Sequence, residues 1–266
     1  MKNILREELE RAWHSPRILL AMLLALAFMG YGFTTILDRS WVPAGYSFAD
    51  LWFFVYVASD FPFILPLVAV LPFADSLAVD QSEGFLRYLV VRTNYRKYLT
   101  AKFLTNALIT AVAVFLPLAG LYLFANIIAP RTTVPINSWA AQISGRPSGF
   151  MEPFFVAHPD GFILCVTLMA VFVGISYSSL GMAISLIYSN RYLVWGAPCA
   201  IYLMAHFVAS KTHLFGPDWS PVSALYGNIA PPNLQSLASL FLNPLAVLLL
   251  AVAVVTVLGQ RKRILR

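Results

Sequence analysis

Six apolar segments divide this chain, and their length restricts the solvent it can fold in. A helix of about 20 residues crosses the ~30 Å hydrocarbon layer of a bilayer. The segments run from about Ile18 to Leu37, Leu51 to Val79, Leu99 to Ala129, Phe162 to Tyr188, Tyr192 to Ala209 and Leu237 to Leu258. Of 266 residues, 59% are hydrophobic and 11% charged, whereas a soluble domain carries roughly 25% charged residues. No single core absorbs that excess, because a dispersed protein needs a charged surface. The expected fold class is therefore an all-α integral membrane protein with six transmembrane helices. Residues 1–266 read as a single transmembrane domain, with no separate soluble domain and no internal repeat.

A net charge of +6 would suit nucleic acid, but the charges are in the wrong places for it. They cluster in the short stretches flanking the apolar segments, so no nucleic-acid partner is expected. Cytoplasmic loops are enriched in Lys and Arg, which orients the chain. With the N-terminus inside, the cytoplasmic set is Lys2, Arg6, Arg11, Arg17, Arg87, Arg92, Arg96, Lys97, Lys102, Arg191, Arg261, Lys262, Arg263 and Arg266. The external set is Arg39, Arg131, Arg146 and Lys211, fourteen against four. Both termini are thus expected in the cytoplasm.

Residues 1–16 read as an interfacial segment. Leu5, Leu9, Ala12 and Trp13 form a stripe at helical spacing, while Lys2, Arg6, Glu7, Glu10 and Arg11 occupy the other side. Such a helix lies in the interface plane with Trp13 at headgroup depth, and Ser15-Pro16 turns the chain into the membrane. The apolar run that follows is too long for a signal-peptide core. The second segment has 29 residues, Leu51 to Val79, about 43 Å at 1.5 Å per residue. It must tilt or project, and Pro62, Pro66 and Pro72 should kink it. Ser47-Phe-Ala-Asp50 resembles a capping box at its start. The external segments 130–159 and 210–236 are proline-rich and expected to form short helices and turns, with Trp139 and Trp219 as interfacial anchors. Ser189-Asn190-Arg191 makes a tight turn between the fourth and fifth segments.

The connection between the second and third segments is the richest in functional signal. Phe85, Leu86, Leu89 and Val90 give one apolar face to a short helix, Glu83 and Arg87 support it four residues apart, and Thr93 or Asn94 caps the third span. A short amphipathic helix clear of the membrane suits docking into a groove on a partner. The same spacing also suits a basic loop that only sets topology. This stretch resembles the cytoplasmic loop of type-2 ABC exporter permeases. That pattern has a carboxylate (Asp80), Glu83-Gly84, a Leu-rich turn (Leu86-Arg87-Tyr88-Leu89), a basic break from Arg92 to Arg96, and Tyr98-Leu-Thr-Ala-Lys102 leading into the next span. The N-terminal interfacial helix, six spans and extended external region resemble the family's layout.

The resemblance implies that residues 80–98 form a coupling loop whose helix, between spans two and three, inserts into a nucleotide-binding subunit. Asp80, Glu83, Gly84, Phe85, Arg87 and Tyr88 would then do the docking. The chain has no G-x-x-x-x-G-K-[ST] motif for nucleotide phosphates, so ATP and Mg would be held by a separate ABC ATPase. No cofactor is expected on this chain and no enzymatic activity of its own. Six spans are half of such a transporter, which implies two ATPase subunits and a second permease subunit, identical or homologous. The setting would be membrane lipid in a bacterial-type plasma membrane, the cell inner membrane.

Asp60 and His206 are the candidates for a translocation path. Asp60 lies inside the second segment, where a carboxylate is a functional candidate. Ser59-Asp60-Phe61-Pro62 also reads as a cap restarting a broken helix. His206 suits either a hydrogen-bonded packing role or transport. No pair of histidines has metal-ligand spacing such as H-E-x-x-H, so no metal site is expected. Gly174, Ser178, Gly181 and Ser185 form a small-residue face suited to close helix packing. Cys165 and Cys199 sit in apolar segments as small hydrophobes. An ion-gradient-driven secondary transporter is the alternative, although it would show several embedded carboxylates or paired broken helices. An intramembrane enzyme needs a nucleophile and base or a metal triad, for which the chain offers no assembled set.

Overall fold

The computed structural model describes residues 2–37, 47–84, 95–131, 151–212, 220–226 and 234–264. These are helical throughout, with no strand among the described residues. In chain order the helices are α1 (Lys2–Trp13), α2 (Pro16–Leu37), α3 (Phe48–Ala58), α4 (Phe61–Val70), α5 (Ser76–Ser82), α6 (Tyr95–Ile128), α7 (Met151–Ala157), α8 (Pro159–Ser185), α9 (Arg191–Thr212), α10 (Pro221–Tyr226) and α11 (Leu234–Ile264).

Four of them, α2, α6, α8 and α9, are long and apolar enough to cross a membrane. The bent pair α3 and α4 is a broken span, which would make a fifth, or a re-entrant loop. The sixth expected segment lies within α11. Its apolar stretch among the described residues is Phe241–Val257, shorter than the about 20 residues of a full crossing.

Of the readings of the second segment, the broken helix is the one that forms. It is broken at Ser59-Asp60, and α3 and α4 meet at 72°. The cause is local. Pro62 has no N–H and its ring would collide with the carbonyl of Ala58, so α3 stops there. Ser59 and Asp60 turn the chain, donating their backbone N–H groups to the Val55 and Val57 carbonyls at 2.9 and 3.1 Å. Pro66, inside α4, leaves the Pro62 carbonyl without its helical donor. The Tyr202 hydroxyl supplies one from α9 at 2.7 Å. Pro72 sits in the turn that separates α4 from α5. At the start of α3 the capping box forms as read: the Asp50 N–H donates to Ser47 Oγ at 3.3 Å, and the Ser47 N–H donates to Asp50 at 2.9 Å.

Helix α8 is the hub. It packs against α4, α6, α9 and α11, and its small-residue face makes those approaches possible. A Cβ on Gly174 would meet Val114 and Ala69 at 3.2 and 3.4 Å, and one on Gly181 would meet the Val194 carbonyl at 3.1 Å. Ser178 accepts from Asn106 and Thr110 of α6 at 2.9 and 3.0 Å. In the α8–α9 turn, Asn190 accepts the Tyr192 N–H at 2.9 Å. Among the described residues of the two proline-rich segments are the short helices α7 and α10. Trp139 and Trp219 lie outside the described residues.

Helix α1 does not simply float on the interface. It packs along α6, burying Glu8 and Ala12 while Trp13 stays 59% exposed. Leu9 and Ala12 join a cluster with Ile18, Phe73 and Ile109. This contact brings charged residues of α1 over the start of α6, where the site described next is built.

Candidate functional site

Two acids of the second segment and its connection, Asp75 and Asp80, are both 0% exposed. A buried carboxylate is costly unless it is paired and hydrogen-bonded, and both are. Asp80, on α5, receives Arg11 of α1 at 2.7 Å and Lys102 of α6 at 2.6 Å. Arg11 meets Oδ1, whereas Lys102 meets Oδ2, to which the Tyr98 hydroxyl also donates a hydrogen bond. Lys102, itself 0% exposed, also meets Glu8 of α1 at 3.0 Å. Its ammonium stands 5.2 Å from the Phe73 ring centre and 5.5 Å from that of Tyr98, within cation–π range. One turn upstream, Arg17 of α2 holds both oxygens of Asp75 at 2.6 and 2.8 Å.

The helical period explains why α6 carries two of the three donors to Asp80. Tyr98 and Lys102 are four residues apart and so lie on one face. On α1, Glu8 and Arg11 are three apart and face the same way. Burial pushes the Asp80 carboxyl up. The Lys102 charge and the hydrogen bonds from Lys102, Tyr98 and Arg11 outweigh it and hold the group below the usual carboxylate range. The cluster thus fixes α1, α5 and α6 to one point.

Of the residues expected to dock a partner, Asp80 faces inward and is consumed by this cluster. Its carboxylate is not presented at the surface. Glu83 is exposed at the C-terminus of α5. Gly84 follows with φ +72°, and its N–H donates to the Gln81 carbonyl at 3.2 Å. That left-handed position ends α5 as glycines commonly end helices. Glu83-Gly84 therefore marks the end of α5. Phe85, Arg87 and Tyr88 lie outside the described residues.

Asp60 is exposed at the break in the second segment. It occupies the N-cap position of α4 at φ 50°, but its side chain makes no capping bond. Ser59 does that work, its Oγ accepting the Phe61 N–H at 3.3 Å. His206 of α9 pairs through Nδ1 with Ser220 Oγ at 2.7 Å and stands edge-on to Phe63 of α4, ring centres 5.3 Å apart. It thereby ties α9 to α4 and to the residue preceding α10. Among the described residues no hydrogen bond or ion pair joins Asp60 to His206, and no group of three His, Cys, Asp or Glu is arranged for a metal.

Sequence reasoning missed Glu8, Arg11 and Arg17 as members of a network; Asp75, near the inner end of the second segment, reads in sequence as either solvated or paired with a basic residue, without naming Arg17. A signal was present for Tyr98 and Lys102: one tyrosine and one lysine a turn apart, downstream of an acid in an apolar setting. No family model, curated protein or solved structure matches the chain.

Proposed function

We propose that this protein is the membrane-spanning permease subunit of an ATP-driven type-2 ABC exporter, coupled to a separate nucleotide-binding subunit. The observation that carries the reading is a convergence. The carboxylate of the motif precedes its tyrosine by 18 residues and stands on a different helix, yet Asp80 forms one buried cluster with Tyr98 and Lys102. A docking segment needs a stiff base if it is to move helices when pushed. Here the segment leaves at Gly84 and returns at Tyr95, between two helices clamped to each other and to α1.

On this reading six segments cross a bacterial-type plasma membrane with both termini in the cytoplasm. Residues 85–94 present Phe85, Arg87 and Tyr88 to the ATPase beside Glu83, with Asp80 holding the base. Two such ATPases bind ATP and Mg, and a second permease subunit completes the path. Force on the loop is delivered to α6, which packs on the hub helix α8.

The test is isolation of the tagged full chain from its native membranes, with identification of what accompanies it. An ATPase should copurify, and Glu83→Ala and Phe85→Ala should each lower its recovery and the coupled ATP hydrolysis severalfold. Unchanged association and unchanged coupled activity in both variants would remove the docking assignment.

One observation favours a second reading. A broken span with an exposed carboxylate at the break is a feature of ion-coupled transporters, and Asp60 stands at such a break. Transport by the purified chain alone, driven by an ion gradient and lost in Asp60→Asn, would select it.

A further inference from the structure

The break in the second segment carries a carboxylate with no structural duty. Asp60 is exposed there, and the capping of α4 is done by Ser59. Among the described residues the Asp60 side chain has no hydrogen bond and no ion pair. Asp60 is also the one non-glycine residue at positive φ among them, at 50°. Glycine adopts that conformation without the cost a side chain carries, so an acid stands where glycine would serve the turn better. Its surroundings are aromatic. Phe63 lies one turn along α4, its N–H donating to the Asp60 carbonyl at 2.9 Å. The half-buried Phe63 ring is edge-on to His206 and has its centre 6.3 Å from that of Tyr226 in α10, which is also half-buried. Tyr226 in turn feels Asp60: burial and the carboxylate charge push its hydroxyl above the ordinary value. Tyr56 of α3, four residues before Asp60, is 0% exposed, and its hydroxyl has no hydrogen bond among the described residues. That hydroxyl lies within electrostatic reach of Tyr226, and its ring is held by stacking on Trp52, centres 5.1 Å apart.

We infer that the acid, the two rings and the unused hydroxyl form a binding site for an organic ammonium group. The Asp60 carboxylate pairs with the charge, the Phe63 and Tyr226 rings cover the adjoining carbons, and the Tyr56 oxygen accepts an N–H. Charge and surface together select this occupant. A divalent metal ion takes about six oxygens, and among the described residues no group of three His, Cys, Asp or Glu is arranged for one. An anion would be repelled by Asp60. A neutral apolar ligand would gain from the rings and nothing from the carboxylate. An ammonium uses both, because aromatic faces attract cations within about 6 Å. The site does not depend on how transport is driven. Binding alone reads it, so it survives the failure of the exporter reading and of ion coupling.

The test uses the purified full chain in deuterated dodecyl maltoside micelles at constant ionic strength. Binding of n-butylammonium and of neutral n-butanol is titrated by saturation-transfer NMR. Aromatic faces and a carboxylate together are worth about tenfold to a cation at such a site, so butylammonium should bind about tenfold tighter than butanol. Asparagine tolerates the left-handed backbone, so Asp60→Asn keeps the turn. It should weaken butylammonium about fivefold and leave butanol within about twofold. Phe63→Leu should weaken butylammonium about threefold, whereas Tyr226→Phe, which keeps the ring, should change it by less than about twofold. Tyr56→Phe should cost about threefold. Equal binding of the two probes by the unmodified chain overturns the proposal and depends on no variant folding. A preference undiminished in Asp60→Asn also overturns it. So does displacement of butylammonium when sodium replaces potassium in the buffer, which would assign the acid to an inorganic cation. Ethanolamine and dioleoyl phosphatidylethanolamine are then added as competitors. Displacement by ethanolamine assigns the site to soluble amines, displacement by the lipid alone assigns it to a headgroup, and displacement by neither overturns the proposal.

Discussion

Replacing Lys102 with methionine would leave the Asp80 carboxylate, 0% exposed, with only Arg11 and Tyr98 against it, and Glu8 without its ammonium. Breaking a buried ion pair costs about 3–5 kcal/mol, so Lys102→Met should lower stability by that amount when unfolding is followed by titration with sodium dodecyl sulfate in mixed micelles. Asp80→Asn should cost about as much, because it strands a fully buried lysine between a neutral amide and Glu8. Asp75→Asn is the informative contrast. Its partner Arg17 keeps 31% of its side chain exposed and can turn to water, so the loss should stay below about 2 kcal/mol. The Asp80 carboxyl is held below its ordinary value, about 3.9. Its contribution is therefore present in full above that value and is lost as pH falls through the lower native one. Stability of the wild type and of Asp80→Asn should accordingly run in parallel between pH 7 and about 5, and the gap should narrow below about pH 4. A gap that stays constant down to pH 3 would mean that the carboxylate is not what holds the cluster.

Helix α2 approaches the break between α3 and α4 so closely that only glycine fits. A Cβ at Gly32 would lie 2.7 Å from both the Ser59 nitrogen and the Val55 carbonyl oxygen. Those are backbone atoms that cannot rotate away. Gly32→Ala should therefore cost about 1–3 kcal/mol or more, whereas Gly30→Ala, with nothing within 4 Å, should be neutral or stabilising by up to about 1 kcal/mol. The same unfolding titration measures both, and equal effects would mean that α2 does not rest on the break. Tyr202→Phe asks about the other half of the segment. It orphans the Pro62 carbonyl that Pro66 has already deprived of a donor, and a hydrogen bond between membrane helices is worth about 0.6–2 kcal/mol. The capping box was legible in Ser47 and Asp50 because a cap is settled within four residues. The location of the break was legible too, in Ser59-Asp60-Phe61-Pro62, but the residue that acts was not. Which of two adjacent oxygens faces the free N–H depends on how the chain turns beneath α2, and nothing local encodes that. The ion cluster was less legible still. Arg11 and Asp80 are 69 residues apart, and Arg17 and Asp75 are 58 apart, so only the packing of α1 and α2 shows which acid belongs to which base.

At the scale of the whole molecule the number of crossings turns on α11. The described apolar stretch, Phe241–Val257, would span about 25 Å at 1.5 Å per residue, short of the ~30 Å layer. The helix itself is longer, running from Leu234 to Ile264. Its neighbouring positions Leu237, Ala238, Leu240 and Leu258 are apolar in sequence, which brings the hydrophobic length to about 33 Å. The basic residues give a second, independent argument. If α11 stayed on one face, Arg261, Lys262, Arg263 and Arg266 would move outside and the bias of fourteen to four would fall to ten against eight. A bias of ten against eight would give the chain little orientation. We therefore expect α11 to cross, and single cysteines placed in a background of Cys165→Ser and Cys199→Ser can read this directly. In intact cells a membrane-impermeant maleimide should label Ser148→Cys. It should reach Asn3→Cys, Ser189→Cys and Gln260→Cys only after the membrane is opened. Labelling of Gln260→Cys in intact cells, with Asn3→Cys still protected, would reduce the chain to five crossings. It would also place its last basic cluster, Arg261, Lys262, Arg263 and Arg266, on the outer surface.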